Sequence, residues 1–270
     1  MNRLLIAAAA CLAPAAALAG PFDATGIALD DPRIERWATT VVGPVVRGPI
    51  DISTPGSPLA SFGTAAEAIG PASTDPTAVV SLGDGGSITV GFSAPIFDTP
   101  GPDFAVFENS FEFDGQVFAE LGFVEVSTNG VDFFRFDAVS LTQTTTQLGP
   151  FDGIDPTDVQ NLAGNQPAGV GTLFDLAELA GASPLLDVSN VNFVRIVDVV
   201  GSIDPQFGSL DSAGTLINDP FPTDFASGSG GFDLDAVAVL RPVPEPAAGL
   251  LAAVGVVCGF GARRARRRTA

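Results

Sequence analysis

Through the middle of the chain apolar and polar positions alternate with a period of two. Stripes at helical spacing are scarce, so the pattern predicts strands. In GFVEVSTNGVDFFRF, Val124 and Val126 alternate with Glu125 and Ser127. Asn129-Gly130 supplies a positive-φ turn, and Phe134 and Phe136 share a face of the return strand. AVVSLGDGGSITVGF reads as a second hairpin: Val79 to Leu82, a Gly-Asp-Gly-Gly turn, then alternating Ile88, Val90 and Phe92. DFAVFEN predicts a compact buried strand from Phe104 to Phe107. VNFVRIVDV (Val191 to Val199) and GFDLDAVAVL (Gly231 to Leu240) predict two more, the last with Phe232, Leu234 and Ala236 facing inward. Near the start, LDDPRIERWATTVVGPVVRG predicts a short helix capped by Asp31 with Pro32 in its first position, followed by a strand from Thr39 to Val46. FDLAELAG predicts a short helix from Phe174 to Ala180. Short strands separated by Gly/Pro/Asp loops make the fold class all-β, an antiparallel β-sandwich with jelly-roll topology as the leading arrangement.

Composition sharpens this picture. The 270-residue chain holds 21 Phe, no Tyr and one Trp, Trp37, so its aromatics read as core. Between Gly20 and Arg241 stand 30 acidic residues against six arginines, with no lysine anywhere, a net charge of −24 for the predicted domain, 20–241. A surface this acidic repels nucleic acid and anionic headgroups. The absence of His removes Ser-His-Asp and Cys-His catalysis, His-ligated zinc and the 2-His-1-carboxylate iron site. Carboxylate and carbonyl oxygens are what remain, and they favour Ca²⁺. The two cysteines, Cys11 and Cys258, both lie outside 20–241, so no disulfide staples the domain.

The densest acidic stretch is PGPDFAVFENSFEFDGQVFAE. Asp103, Glu108, Asn109 and Glu120 lie around strand ends there, with Asp233 and Asp235 of GFDLDAV as remote contributors, and these six are the candidate Ca²⁺ ligands. Their spacing matches neither an EF-hand loop nor a Gly-rich nonapeptide repeat. Turn capping and solvated loops are the competing account of the same carboxylates. A catalytic account needs two carboxylates across a cleft, as in glycoside hydrolysis, for which Glu108 with Glu120 or Asp235 would serve. Arg195 is expected to pair with a nearby carboxylate such as Asp198.

The two ends carry their own signals. MNRLLIAAAACLAPAAALAG has a basic start, an apolar run and a small-residue Ala-Leu-Ala step, predicting a signal peptide over 1–19. The alanines before Cys11 do not make a lipidation site. At the other end Pro244-Glu245-Pro246 precede a 16-residue apolar run, Ala247 to Ala262, and then Arg263, Arg264, Arg266, Arg267 and Arg268. That run is slightly short of the roughly 17–25 residues of a membrane span. The basic cluster after it would remain cytoplasmic. This three-part order, 243–270, resembles the PEP-CTERM sorting signal of Gram-negative bacteria. That resemblance implies signal peptidase and exosortase as processing partners, a C-terminal transmembrane helix held only transiently, and a final place at the cell surface or in an exopolysaccharide matrix. FAVFENSF, FAELGFVEVSTNGVDFFRF, FVRIVDV and GGFDLDAVAV also resemble a group of bacterial cell-surface proteins that brings no activity with it; Asn129 stands where that pattern often has Asp. The expected function is therefore an exported, non-enzymatic binding or structural protein, with extracellular polysaccharide and divalent cations as partners and no nucleic acid. A purely structural matrix protein and a carboxylate-based glycoside hydrolase are the alternatives.

Overall fold

The computed structural model describes residues 20–224 and 227–242. In chain order the strands are β1 (Ile27–Ala28), β2 (Ile34–Trp37), β3 (Thr40–Val41), β4 (Val80–Ser81), β5 (Ser87–Ile96), β6 (Phe104–Glu108), β7 (Phe111–Phe113) and β8 (Gln116–Phe118). They continue with β9 (Gly122–Ser127), β10 (Phe134–Arg135), β11 (Val139–Ser140), β12 (Val159–Gln160), β13 (Leu162–Ala163), β14 (Val170–Phe174), β15 (Val191–Asp198) and β16 (Asp233–Leu240). Two short 3₁₀ turns, Pro156–Asp158 and Leu176–Leu179, are the only helical pieces among the described residues. No helix among these residues is long and apolar enough to cross a membrane. Residues 1–19 and the positions from Pro244 to Arg268 lie outside the described residues.

The protein is all-β, with antiparallel pairing throughout. One six-stranded sheet runs β1-β14-β6-β16-β2, with β4 also on β16. The other runs β10-β9-β15-β5-β3, with β13 also on β9. The two sheets face each other across a common core, consistent with a β-sandwich. Phe104, Val106, Phe174, Leu234, Val237 and Val239 come from the first sheet and meet Ile88, Val90, Val124, Val126, Val194 and Ile196 of the second. Phe104 lies at the centre, its ring 5.3 Å from Phe174 and 5.9 Å from Phe136. Apolar side chains also line the outer faces. Ala105, Phe107, Ala236, Ala238 and Leu240 pack with Ile27 and Trp37 behind the first sheet. Leu121, Phe123, Leu162, Val199 and Ile217 form a third cluster. These buried outer faces are why β6 and β16 read as continuous apolar runs.

The predicted β9–β10 hairpin is present, with Phe134 opposite Val126 and Gly130 at φ 75°. Several local expectations are corrected. Val79–Leu82 and β5 do not pair with each other: β4 pairs with β16 and β5 with β15, so the chain crosses from one sheet to the other through Gly83 and Gly85, both at positive φ. Both strands still turn apolar residues toward the same core, from opposite sides. No helix follows Asp31. Its carboxylate accepts from the Arg33 N–H at 2.8 Å and pairs with the Arg33 guanidinium, closing a tight turn that delivers Ile34 straight into β2 against β16. The strand expected over Thr39 to Val46 is confined to Thr40–Val41 plus a bridge from Val46 to Ser87, with Pro44, which lacks a donor, between them. FDLAELAG makes only the 3₁₀ turn capped by Asp175. In β16 the register shifts between Leu234 and Ala236, so Leu234 and Val237 face the common core while Ala236 faces outward. Arg195 pairs with Glu125 across β9 and β15 rather than with Asp198. Arg135 joins the same carboxylate at 2.8 Å. The two guanidiniums also cover the Phe133 and Phe123 rings, at 3.8 and 4.0 Å.

Candidate metal centre

One end of the sandwich gathers carboxylates because several strands begin or end there. Glu108 closes β6, Asp198 closes β15, Asp233 opens β16, Glu120 stands two residues before β9, and Asp84 lies in the crossing between β4 and β5. Asp219, from the loop before β16, reaches the same end through the Leu121 N–H. All six are buried. None of them forms an ion pair among the described residues. The Arg47 charge acts on Asp233, but its guanidinium donates to the carbonyls of Phe62, Gly63 and Ser81 instead.

The six divide by what serves their oxygens. Asp198 accepts from the backbone N–H groups of Gly85 (2.8 Å) and Phe232 (2.6 Å), Asp84 from Ile52 (2.6 Å) and Asp219 from Leu121 (3.1 Å). Two glycines make room for this trio. A Cβ on Gly201 would fall 1.5 Å from an Asp219 oxygen, and one on Gly231, at φ 62°, 2.5 Å from an Asp198 oxygen. These three carboxylates tie loops to strand ends.

Glu108, Glu120 and Asp233 are served by side chains. Asp233 accepts from the hydroxyls of Ser81 and Ser229 and from the Asn109 amide. Glu108 Oε2 accepts from the N–H and hydroxyl of Ser110, and the Thr223 hydroxyl serves Glu120. One oxygen of each glutamate, Glu108 Oε1 and Glu120 Oε1, is buried without a hydrogen-bond partner. An orphaned buried carboxylate oxygen is costly unless something positive meets it. Burial pushes the Glu108 and Glu120 carboxyls well above their ordinary range; the Asp233 charge pushes both further, and Glu108 and Asp198 add to the push on Glu120. Burial also raises Asp233 against the pull of its three hydrogen bonds and of Arg47. In the other trio burial carries Asp84 to about 7 and Asp198 and Asp219 well above the usual carboxylate range.

A cavity of about 360 Å³ opens onto this end, with Glu120, Asp233, Asn109 and Ser229 among its lining residues and Phe62, Phe111 and Phe118 as its aromatic walls. Phe111 and Phe118 belong to the β7–β8 hairpin, which turns at Asp114-Gly115, both at positive φ. The donor set around the glutamates is oxygen only: three carboxylates, the Asn109 amide and the hydroxyls of Ser81, Ser110, Ser229 and Thr223. Such hard oxygen donors, two of them with unmet lone pairs, are of the kind Ca²⁺ takes, six to eight at a time. These three carboxylates are not a preset cradle: among the described residues Asp98, Asp103 and Asp175 are the group that brings one oxygen each within 4.8 Å of one another, so an ion at Glu108, Glu120 and Asp233 would have to draw their oxygens closer.

Of the six residues singled out from sequence, the fold brings Glu108, Asn109, Glu120 and Asp233 together and separates the other two. Asp103 precedes β6 at the opposite end of the strand, where it, Asp98 and Asp175 place oxygens within 4.8 Å of one another. There Asp103 accepts from Thr99 N–H and hydroxyl and from Leu176 N–H, all at 2.8 Å, and burial carries it to about 6. Asp98 of that trio is exposed. Asp235 sits at the β16 irregularity and accepts from the Ser73 N–H at 2.8 Å, so neither Asp103 nor Asp235 shares the Glu108 site. Glu108 and Asp235 do not form a facing pair. Asp84, Asp198 and Asp219 complete the acidic end without having been among the six; an acidic residue inside an otherwise apolar run, as in VRIVDVV, is the one local sign of such burial. No protein-family model matches the chain, and no curated protein matches it.

Proposed function

We propose that this chain is an exported, cell-surface or matrix-associated binding domain, non-enzymatic, built on a jelly-roll scaffold and holding a divalent cation, Ca²⁺ by its donor chemistry, at Glu108, Glu120 and Asp233. The topology reading is supported by strand order. Eight strands in sequence (β4, β5, β6, β9, β10, β14, β15, β16) fall into β4-β16-β6-β14 on one sheet and β5-β15-β9-β10 on the other, the arrangement of two Greek keys wrapped into a sandwich.

The observation that carries the cation reading is the pair of buried, partnerless oxygens, Glu108 Oε1 and Glu120 Oε1, in a cluster without an ion pair. Melting the chain in millimolar CaCl₂ and in EGTA tests it. The expected result is a higher melting temperature with Ca²⁺, by roughly 5–10 °C if the ion stands about a hundredfold above its Kd and so contributes about 2.7 kcal/mol. An unchanged melting temperature overturns the reading.

The placement rests on the two ends of the chain. Signal peptidase and exosortase would process them, and the C-terminal apolar run would hold the inner membrane for a time. Co-expression with an exosortase should release a shortened, surface-exposed form, and replacing Pro244, Glu245 and Pro246 by Ala should leave it unprocessed. Processing that survives the replacement would remove the sorting reading.

A further inference from the structure

Resting on the reading of residues 1–19 as a removable export signal, we infer that the fold holds a docking site for the chain's own new N-terminus: the Gly20 α-ammonium binds at Thr157 and Asp158, closing an ion pair that the uncut chain lacks. The Gly20 nitrogen is already in place. It donates to Thr157 Oγ1 at 2.5 Å, across 137 residues of chain, and the Phe22 N–H donates to the Thr157 carbonyl at 3.1 Å. Residues 20–22 are thereby clamped to the 3₁₀ turn Pro156–Asp158. The site is shaped for glycine, because a Cβ on Gly20 would collide with the Thr157 carbonyl oxygen and with Asp158 Oδ1. Gly20 is also the residue that a cut after the Ala17-Leu18-Ala19 step leaves first. Charge is the reason the site suits an ammonium. The Thr157 hydroxyl gives its proton to Asp155 at 2.6 Å, so toward Gly20 it can only accept. Asp155 and Asp158 flank that hydroxyl, and neither forms an ion pair among the described residues. Burial and the Asp155 charge hold the Asp158 carboxyl above its ordinary range, the mark of a carboxylate short of a cation. The cavity that Asp155 and Asp158 line together with Asp114 has no basic side chain in its lining. On the other side of the segment Arg33 is taken by Asp31, Asp23 by Thr25 and Glu178 by Asn161. Cutting replaces one neutral amide N–H at Gly20 by three donors and a full positive charge beside Asp158.

Composition makes the test clean. The sequence has no lysine, so the Gly20 α-amine is the one primary amine of the cut chain, and succinimidyl acetate acetylates that amine alone. N-terminal sequencing of the exported protein should read Gly-Pro-Phe-Asp. In the chain that begins at Gly20, acetylation at pH 6.5 should run about tenfold slower than in the same chain carrying Asp158→Asn, because a one-unit rise in the amine's pKa removes about nine-tenths of its neutral form. A chain that keeps Ala19 ahead of Gly20 is a second comparator and should react at the Asp158→Asn rate. Complete acetylation restores the neutral amide of the uncut chain. It should lower the melting temperature of the parent by about 2–4 °C and leave that of Asp158→Asn unchanged. An exported chain that begins elsewhere than Gly20 overturns the link to signal removal. Equal rates in the parent and either comparator, or a parent melting temperature indifferent to acetylation, overturns the docking site and leaves the cleavage reading standing.

Discussion

Glu120→Gln should change sign with the solvent, and that reversal is the sharpest test of the buried carboxylates. Without a cation, Glu120 is 4% exposed, one oxygen has no partner, and Asp233 and Glu108 raise its proton affinity further. Burial and its acidic neighbours push this carboxyl toward its neutral form. Holding a carboxyl of ordinary pKa about 4.3 protonated at pH 7.5 costs about 4 kcal/mol, from 1.36 kcal/mol per pH unit. Glutamine removes that cost. Its buried amide donors demand roughly 1–3 kcal/mol of new partners, some of which the Asp233 and Glu108 oxygens provide. The variant should therefore be more stable than the parent in EGTA by about 1–3 kcal/mol, or roughly 2–12 °C for a domain of this size. At pH 5, where little is needed to protonate the parent, the advantage should shrink below about 1 kcal/mol. In CaCl₂ the order should reverse, because the parent gains the ion and the variant loses a charged ligand. Differential scanning calorimetry of both proteins in the two solvents at the two pH values measures this. A variant that melts lower by the same amount with and without Ca²⁺ would refute the reasoning, because Glu120 would then be held by a partner other than an ion.

The stability profile follows from the same physics. Carboxyls whose folded pKa is raised stabilise the fold below their ordinary pKa and lose that contribution as pH rises through the folded values, about 6 for Asp103 and Asp235 and about 7 for Asp84. In EGTA the melting temperature should fall as pH is raised from about 5 to about 8, and Ca²⁺ should flatten the fall because protons and ion compete for the same oxygens; a rising profile in EGTA would contradict this. Phe104→Ala opens a cavity between Phe174 and Phe136 and should destabilise by about 3–5 kcal/mol in urea titration. Glu125→Ala leaves the Arg135 and Arg195 guanidiniums side by side without their shared carboxylate and should cost about 1–3 kcal/mol, with high salt recovering part of the loss.

What could be read from sequence was what local residues decide. Everything that makes the β9–β10 hairpin lies between Gly122 and Phe136: the alternation, the Asn129-Gly130 turn and the return face. Glu108 and Glu120 drew notice because they lie in the densest acidic stretch, around strand ends, and both prove to be buried. The rest depended on what lies across the fold. Two neighbouring apolar strands such as β4 and β5 can pair or can face each other, and Gly-Asp-Gly-Gly permits either course; the choice is made by β16, far along the chain. The shift in β16 likewise has no local signature, so period-two reading carried Ala236 to the wrong face. Asp84 and Asp219 look like any turn-capping aspartate until the loops around them close.

The chain's habit of changing sheets has a consequence for the order in which it can fold. Of the long strands, only β9 is followed directly by a partner in its own sheet, β10. β16 lies at the centre of the first sheet, between β6 on one side and β4 and β2 on the other, and its Asp233 meets Ser81 across 152 residues of chain. Contacts this distant in sequence must wait for large loops to close, which slows folding. A chain delivered N-terminus first, from a ribosome or through a membrane pore, can form the β7–β8 and β9–β10 hairpins first and can complete its second sheet once β15 has emerged. The central gap in its first sheet stays open until Leu240 has emerged, so the two sheets can close over their common core only in that last step.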